Sequence, residues 1–449
     1  MYNSFIIRNA LIVNEGKLFM GSVTVMNGMI AGIQKGITLL KNITPGLQII
    51  DAGGKLLIPG VIDDQVHFRE PGLTHKGDIG SESLAAVAGG ITSFMEMPNT
   101  NPLALTQDLL EEKYTIASIK SPANYSFYMG TANDNSDEVL RTDPKTVCGV
   151  KIFMGASTGN MLVDNLNTLR EIFSRCKLLI ATHCEDEVTI RINTAAYREK
   201  YGEQVPISMH PLIRSREACY KSTQLAVNLA RQYGTRLHVL HLSTADEMEF
   251  FDNSKPLAEK MITAEVCVHH LWFDEKDYST LGNKIKWNPA IKSATDRQAL
   301  FQALLDNRLD VVATDHAPHT LEEKNNTYFK SPSGGPLVQH ALPAMLEFFH
   351  QGKINLEKIV EKMCHAPAIC FRVKNRGFIR PGYFADLVLV DLNSPQMVQK
   401  ENLLYKCGWS PFEGQIFHSR ITHTFVNGNL VYENGNFFEN KGMRLEFDR

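Results

Sequence analysis

Cysteine is scarce in this chain: eight residues in 449, scattered, with no Cys-x-x-Cys pair. That argues against a disulfide framework or a thiolate zinc site, and a reducing cytoplasm fits. No apolar run approaches the roughly eighteen residues of a membrane span. Met1 to Met20 lacks a basic segment followed by an apolar core and a small-residue cleavage site, so secretion is not expected. Neither sign of charge dominates: Lys+Arg number 46 and Asp+Glu 49, a formal net charge of -3. A broad nucleic-acid or acidic-membrane surface is not expected, although a local basic pocket is still allowed. Internal repeats, low-complexity tracts and glycine-rich dinucleotide or phosphate loops are also missing. What is present is ordinary for a soluble globular protein, 43% hydrophobic and 21% charged. The length allows two or three domains, or one large barrel with an attachment.

Both ends read as short strands. Phe5 to Val13 is β-rich, and Gly21 to Gly28 ends in an Asn-Gly hairpin turn. Met29 to Ile33, Gln48 to Asp51 and Lys55 to Ile58 follow. Near the far end, Ala385 to Asp391 is a buried-strand pattern, and Thr422 to Tyr432 is a hairpin around a second Asn-Gly. Either end alone has too little core, so one small β-sandwich domain built from both is expected, residues 1–58 plus 370–449. Residues 59–369 alternate differently. Eight apolar runs, at 61–66, 91–97, 125–129, 149–154, 178–183, 237–241, 261–268 and 309–315, are separated by helix-like stretches such as Ser81 to Ala88 and Arg216 to Tyr233. The fold class is α/β, and eight strand–helix units predict a (β/α)8 TIM-like barrel, with an open α/β sheet as the alternative.

In such a barrel the chemistry gathers where strands end. The first strand runs out through Gln65, His67 and Arg69, and the second through Asn99. The fifth ends in His183, the sixth in His241, and the eighth in Asp315 to His319. Imidazole and carboxylate are the usual ligands of a catalytic zinc. A single histidine at a strand end is commonly just a polar residue, but four such ends favour a site. Lys151 stands inside an apolar strand between Val150 and Ile152. Burial depresses a lysine pKa and frees a neutral amine. That amine can add carbon dioxide to become a carbamate able to bridge two metals. The bland reading is a salt-bridged lysine at the rim.

These segments resemble the amidohydrolase superfamily and, within it, the longer class of dihydroorotases. The likeness runs from the terminal strands through Pro59-Gly-Val-Ile-Asp63 to Arg376–Val390. It implies the barrel with its split β domain and a zinc-dependent cyclic amidohydrolase holding one or two ions per chain. His67, Lys151 and Asp315 would hold the more buried metal, and His183 and His241 the more exposed one, with carbamylated Lys151 as the bridge. Zinc-activated water would attack the ring amide, and Asp315 would shuttle the proton. Arg69, Asn99 and His319 would hold the substrate carboxylate, and Asn288 would line the ring pocket near Gly334-Gly-Pro336. The implied reaction is the reversible cyclisation of N-carbamoyl-L-aspartate to L-dihydroorotate in pyrimidine biosynthesis.

One position departs from the family pattern. Its His-x-His is here Gln65-Val66-His67, so Gln65 is at best a weak metal position, because a neutral carbonyl oxygen binds zinc less well than imidazole. His269 and His270 are read as structural, His238 as a support, and Cys184 and Cys267 as small buried residues. The alternatives are another cyclic amidohydrolase, such as an allantoinase or a hydantoinase/dihydropyrimidinase-like enzyme, or a catalytically impaired scaffold that assembles with a partner enzyme such as aspartate transcarbamoylase. What favours dihydroorotase is Phe68 to Gly72 together with Pro98 to Thr100, since an anionic substrate needs an arginine and an amide. The expected partner is a small-molecule substrate, without nucleic acid or membrane, and a homodimer is the default assembly.

Overall fold

The computed structural model describes residues 4–37, 47–155 and 161–449. Eight parallel positions make the barrel: Val61–Val66, Ile91–Glu96, Asn124–Phe127 with Met129–Gly130, Val150–Phe153, Ile180–His183, Leu237–Val239, Ile262–Cys267 and Val311–Ala313. Each pairs with the next in chain order. The third changes partner at Tyr128, its first half pairing with the second strand and Met129–Gly130 with the fourth. A parallel bridge from Val66 to His316 brings the eighth strand to the first, and the His67 N–H donates to the His316 carbonyl at 2.7 Å. The ring is therefore closed, and the open sheet is set aside.

Strands covered on both faces read as continuous apolar runs, and most of these do. The first is the exception. All six of its residues are buried, yet three are Asp63, Asp64 and Gln65. Buried polar groups need partners, so this strand has to pair side chains with its neighbours. The intervening helices carry explicit start and stop signals. Asp78 accepts from the Ser81 N–H at 2.9 Å and so caps Ile79–Ala88. Arg216–Tyr233 begins behind the Ser215 hydroxyl and ends at Gly234, whose φ of +68° suits a residue without a Cβ. Among the described residues no helix is long and apolar enough to cross a membrane.

The second unit is a nine-stranded sheet drawn from both ends. Phe5–Asn14 pairs antiparallel with Lys17–Met26 and parallel with Gln48–Asp51 and Leu56–Pro59. Leu387–Asp391 pairs with Leu56–Pro59 on one side and Arg420–Val426 on the other. Phe5 and Phe425 thus lie three strands apart, about 14 Å in a flat sheet. Their rings nevertheless stack at 4.9 Å. The sheet folds over itself as a sandwich around one apolar core containing Ile7, Leu57, Leu387 and Phe425.

Strand texture alone placed everything after residue 369 in this domain, but parts of it serve the barrel. The Trp409 indole N–H donates to the His319 carbonyl at 2.7 Å, and the Tyr405 ring packs tilted against His316. The last residues return to the third barrel strand, where the Leu445 N–H reaches the Tyr125 carbonyl. Gly442 allows that approach, since a Cβ there would lie 1.8 Å from the Ala123 carbonyl oxygen.

Replacing Phe425 by alanine should empty the centre of the sandwich. A loss of about 3–5 kcal/mol is expected, read as a lower denaturant midpoint with an unchanged slope.

Candidate active site

Asp63 decides how the site is assembled. Its carboxylate accepts from the Gln65 and Thr314 N–H groups, each at 3.2 Å, and from the Thr314 hydroxyl at 2.6 Å. The first and eighth strands are thereby pinned in register, and Gln65 and His67 stand beside Asp315. Gln65 Nε2 donates to Asp315 Oδ1 at 3.2 Å, and His67 Nε2 lies 3.2 Å from the same oxygen. His67 Nδ1 meets Asn99 Oδ1 at 2.8 Å. Across the barrel mouth, His183 Nδ1 lies 3.0 Å from His241 Nε2.

One cavity of about 340 Å³ collects these groups. All ten residues singled out in the sequence line it: Gln65, His67, Arg69, Asn99, Lys151, His183, His241, Asn288, Asp315 and His319. Gly334 joins them on the loop after the eighth strand. Arg69, His241 and Asp315 all adopt left-handed backbone, with φ of 73°, 40° and 47°. Such conformations cost side-chain-bearing residues energy and cluster at functional sites. Here they turn the chain sharply at three strand ends, and all three residues line the cavity.

Burial sets the charge states. It pushes His241 and His67 well below the usual imidazole range and lowers His183 as well. These rings are therefore neutral and carry lone pairs. Burial also raises Asp315 to about 7 and lowers Lys151 to about 7, so each changes charge near neutrality. Arg69 falls only to about 10 and remains cationic. Its guanidinium touches the Pro318 carbonyl at 3.0 Å and His319 Nε2 at 2.9 Å, and neither is an anion. A buried cation without a carboxylate in contact, facing a cavity, is a receptor for one.

Several contributors were missed in the sequence. Glu185 accepts from His183 Nε2 at 2.9 Å and also pairs with Arg214. It stands only two residues after His183, which was an available hint. Arg214 itself lines the cavity from a short helical insertion, and no spacing in the sequence betrays it. Phe153 and Trp287 form apolar wall. The rim loop around Pro332–Gly334 is tied down by buried lysines: Lys286 Nζ reaches the Ser331 carbonyl at 2.6 Å and Lys324 Nζ the Gly334 carbonyl at 2.8 Å.

Other titratable groups lie off the cavity. His238 pairs with Asp64 at 3.1 Å and Glu265 at 3.7 Å, a fully buried triad inside the barrel. Glu265 also accepts the His241 backbone N–H at 3.0 Å, so the triad braces that strand end from below. His269 stacks on Trp287, and His270 Nε2 meets the Pro289 carbonyl. Cys184 and Cys267 are buried.

The donor set suits a divalent metal at His183 and His241. With its Nε2 hydrogen given to Glu185, His183 presents an Nδ1 lone pair toward His241, whose own Nδ1 is buried without a hydrogen-bond partner. Two neutral imidazoles facing each other at that distance, one oriented by a carboxylate, supply two of the ligands a zinc-type ion takes.

A family model described as "Amidohydrolase family" matches residues 56–431. A dihydroorotase of Halobacterium salinarum is 33% identical over 380 residues, covering 84% of this chain and 86% of that one. One of Carboxydothermus hydrogenoformans is 33% identical over 433 residues, covering 95% and 96%. Among solved structures, an L-hydantoinase (dihydropyrimidinase) from Arthrobacter aurescens has a TM-score of 0.93 at 27% identity, covering 99% of this chain and 100% of that one. A dihydropyrimidinase from Brevibacillus agri, at 24% identity and TM-score 0.87, covers 99% and 100% and shares the fold.

The raised Asp315 pKa carries a stability signature. A carboxyl raised in the folded state stabilises below its unfolded value, and that stability is lost as pH rises through the folded value. Compared with Asp315→Asn, the metal-stripped chain should lose stability between about pH 4 and pH 7. Parallel pH–stability curves for the two would contradict the assignment.

Proposed function

The chain belongs to the amidohydrolase family, and on that premise we propose that it is a dihydroorotase. It would interconvert L-dihydroorotate plus water with N-carbamoyl-L-aspartate. The observation that carries this reading is Arg69: a buried guanidinium that, among the described residues, has no anionic partner in contact, in the same cavity as the paired imidazoles. An uncharged ring such as hydantoin offers that cation carbonyl oxygens but no opposite charge, whereas dihydroorotate offers a carboxylate. Relatives named dihydroorotase support the reading.

His183 and His241 are the residues that would hold zinc, with Lys151 as a carbamate, His67 and Asp315 as the further ligands available to it. Bound zinc would polarise a carbonyl and lower the pKa of water toward ~7. The chain's own groups do the rest. Arg69 takes the substrate carboxylate, with Asn99 and His319 beside it, and this fixes the ring so that its amide faces the imidazole pair. Asn288 Oδ1, buried and without a hydrogen-bond partner, is free to accept from a ring N–H. Asp315 takes the proton of the attacking water and returns it to the departing ring nitrogen. A group that titrates near 7 suits both halves of that transfer. In the reverse direction the same carboxyl removes the proton from the carbamoyl nitrogen as the ring closes.

A second reading, hydantoin hydrolysis, is favoured by the structural likeness to the Arthrobacter enzyme. Turnover of dihydroorotate against hydantoin and allantoin separates the two, and preference for a neutral ring would sink the dihydroorotase proposal. Arg69→Met should raise KM for dihydroorotate by roughly 10–100-fold, the worth of a hydrogen bond to a charged group. Lys151→Ala should abolish turnover, with partial rescue by short carboxylic acids. Normal activity in that variant would exclude the carbamate.

A further inference from the structure

The cavity offers metal donors in two groups, and they are not equivalent. In the first, His183 Nδ1 and His241 Nε2 converge at 3.0 Å. Glu185 orients the His183 ring, and Arg214 in turn holds Glu185. Among the described residues, the two converging nitrogens have no hydrogen-bond partner other than each other. In the second group, Asp315 Oδ1 is already engaged by the carboxamide of Gln65. The Gln65 Nε2 donates to Asp315 Oδ1 at 3.2 Å, the orientation that the ionised form of that carboxyl, which only accepts, requires. Its Oε1 then faces Cys267 Sγ at 3.9 Å. For Gln65 to ligate a metal, the amide must turn over. It would lose the bond to Asp315 and set its NH2 against sulfur, a poor acceptor. The gain would be a neutral carbonyl oxygen, which zinc prefers less than imidazole.

We propose that this chain holds a single metal ion, at His183 and His241, and that the Gln65 carboxamide takes the place of a second one by hydrogen-bonding to Asp315. The proposal rests on the metal-hydrolase reading above and deepens it. In a one-metal site the N–H of Gln65 supplies the positive end that a second cation would otherwise bring to Asp315. It also fixes one oxygen of that carboxyl and leaves Oδ2 for the proton. Lys151 then serves one ion and has no second to bridge.

Metal content of the purified holoenzyme, measured by plasma mass spectrometry after desalting, is the test. One zinc per chain is expected. Gln65→His removes the carboxamide and adds an imidazole beside His67, so it should bind two. After substitution with manganese, a spin-coupled pair should appear in the electron paramagnetic resonance spectrum of the variant and not of the native protein. Two ions in the native protein would overturn the single-metal proposal while leaving the hydrolase reading intact. One ion in a folded Gln65→His would overturn the role given to Gln65. No ion in the native chain would overturn both readings, and that measurement needs no variant.

Discussion

The site depends on the seam where the barrel closes. Asp63, on the first strand, is bonded to the backbone and hydroxyl of Thr314 on the eighth. Strand register is unforgiving, because a slip of one residue turns every side chain to the opposite face. A buried carboxyl bonded to its neighbour strand at two points makes such a slip expensive, since it would leave a buried polar group unpaired. Burial already pushes Asp63 well above the usual carboxylate range, so its hydrogen bonds matter all the more. With the seam fixed, Gln65, His67 and Asp315 fall side by side although 250 residues separate the first from the last.

Dryness does most of the remaining electrostatic work. The same desolvation keeps the histidines neutral, lifts Asp315 toward neutrality and lowers Lys151 to meet it. Neutral imidazoles are the form that binds metal, and a carboxyl near 7 is the form that moves protons. Arg69 alone resists, since guanidinium stays protonated even when buried. The cavity therefore combines the guanidinium of Arg69 and the Glu185-paired one of Arg214 with several groups poised to change their charge.

The parts around the cavity stiffen it. Glu265, which shares His238 with Asp64 beneath the floor, takes the backbone N–H of His241 at its left-handed turn. Lys286 and Lys324 donate from their buried amino groups to carbonyls of the rim loop. Gly334 makes that loop possible, because at φ +124° a Cβ would lie 2.6 Å from the Ala317 carbonyl oxygen. Trp409, beyond the barrel in sequence, reaches back to the His319 carbonyl. Strained strand ends and buried charges persist because neighbouring elements hold them there.

The sequence by itself determined the alternation of strands and helices, since burial on both faces demands runs such as Ile180 to His183 and capping demands residues such as Asp78 and Ser215. It also marked the chemistry: Lys151 inside an apolar strand, imidazoles and carboxylates at strand ends, and Gln65 where the family pattern has histidine. These are local signals, readable because periodicity and residue type act within a few positions. Only the tertiary structure decided that the sheet closes as a barrel, that the sandwich folds Phe5 onto Phe425, and that Arg214 and Trp409 belong to the site region. It alone decided what Gln65 does there, donating to Asp315 rather than facing a metal. Those outcomes rest on contacts between residues tens to hundreds of positions apart, and no local pattern encodes which buried partner a polar side chain will find.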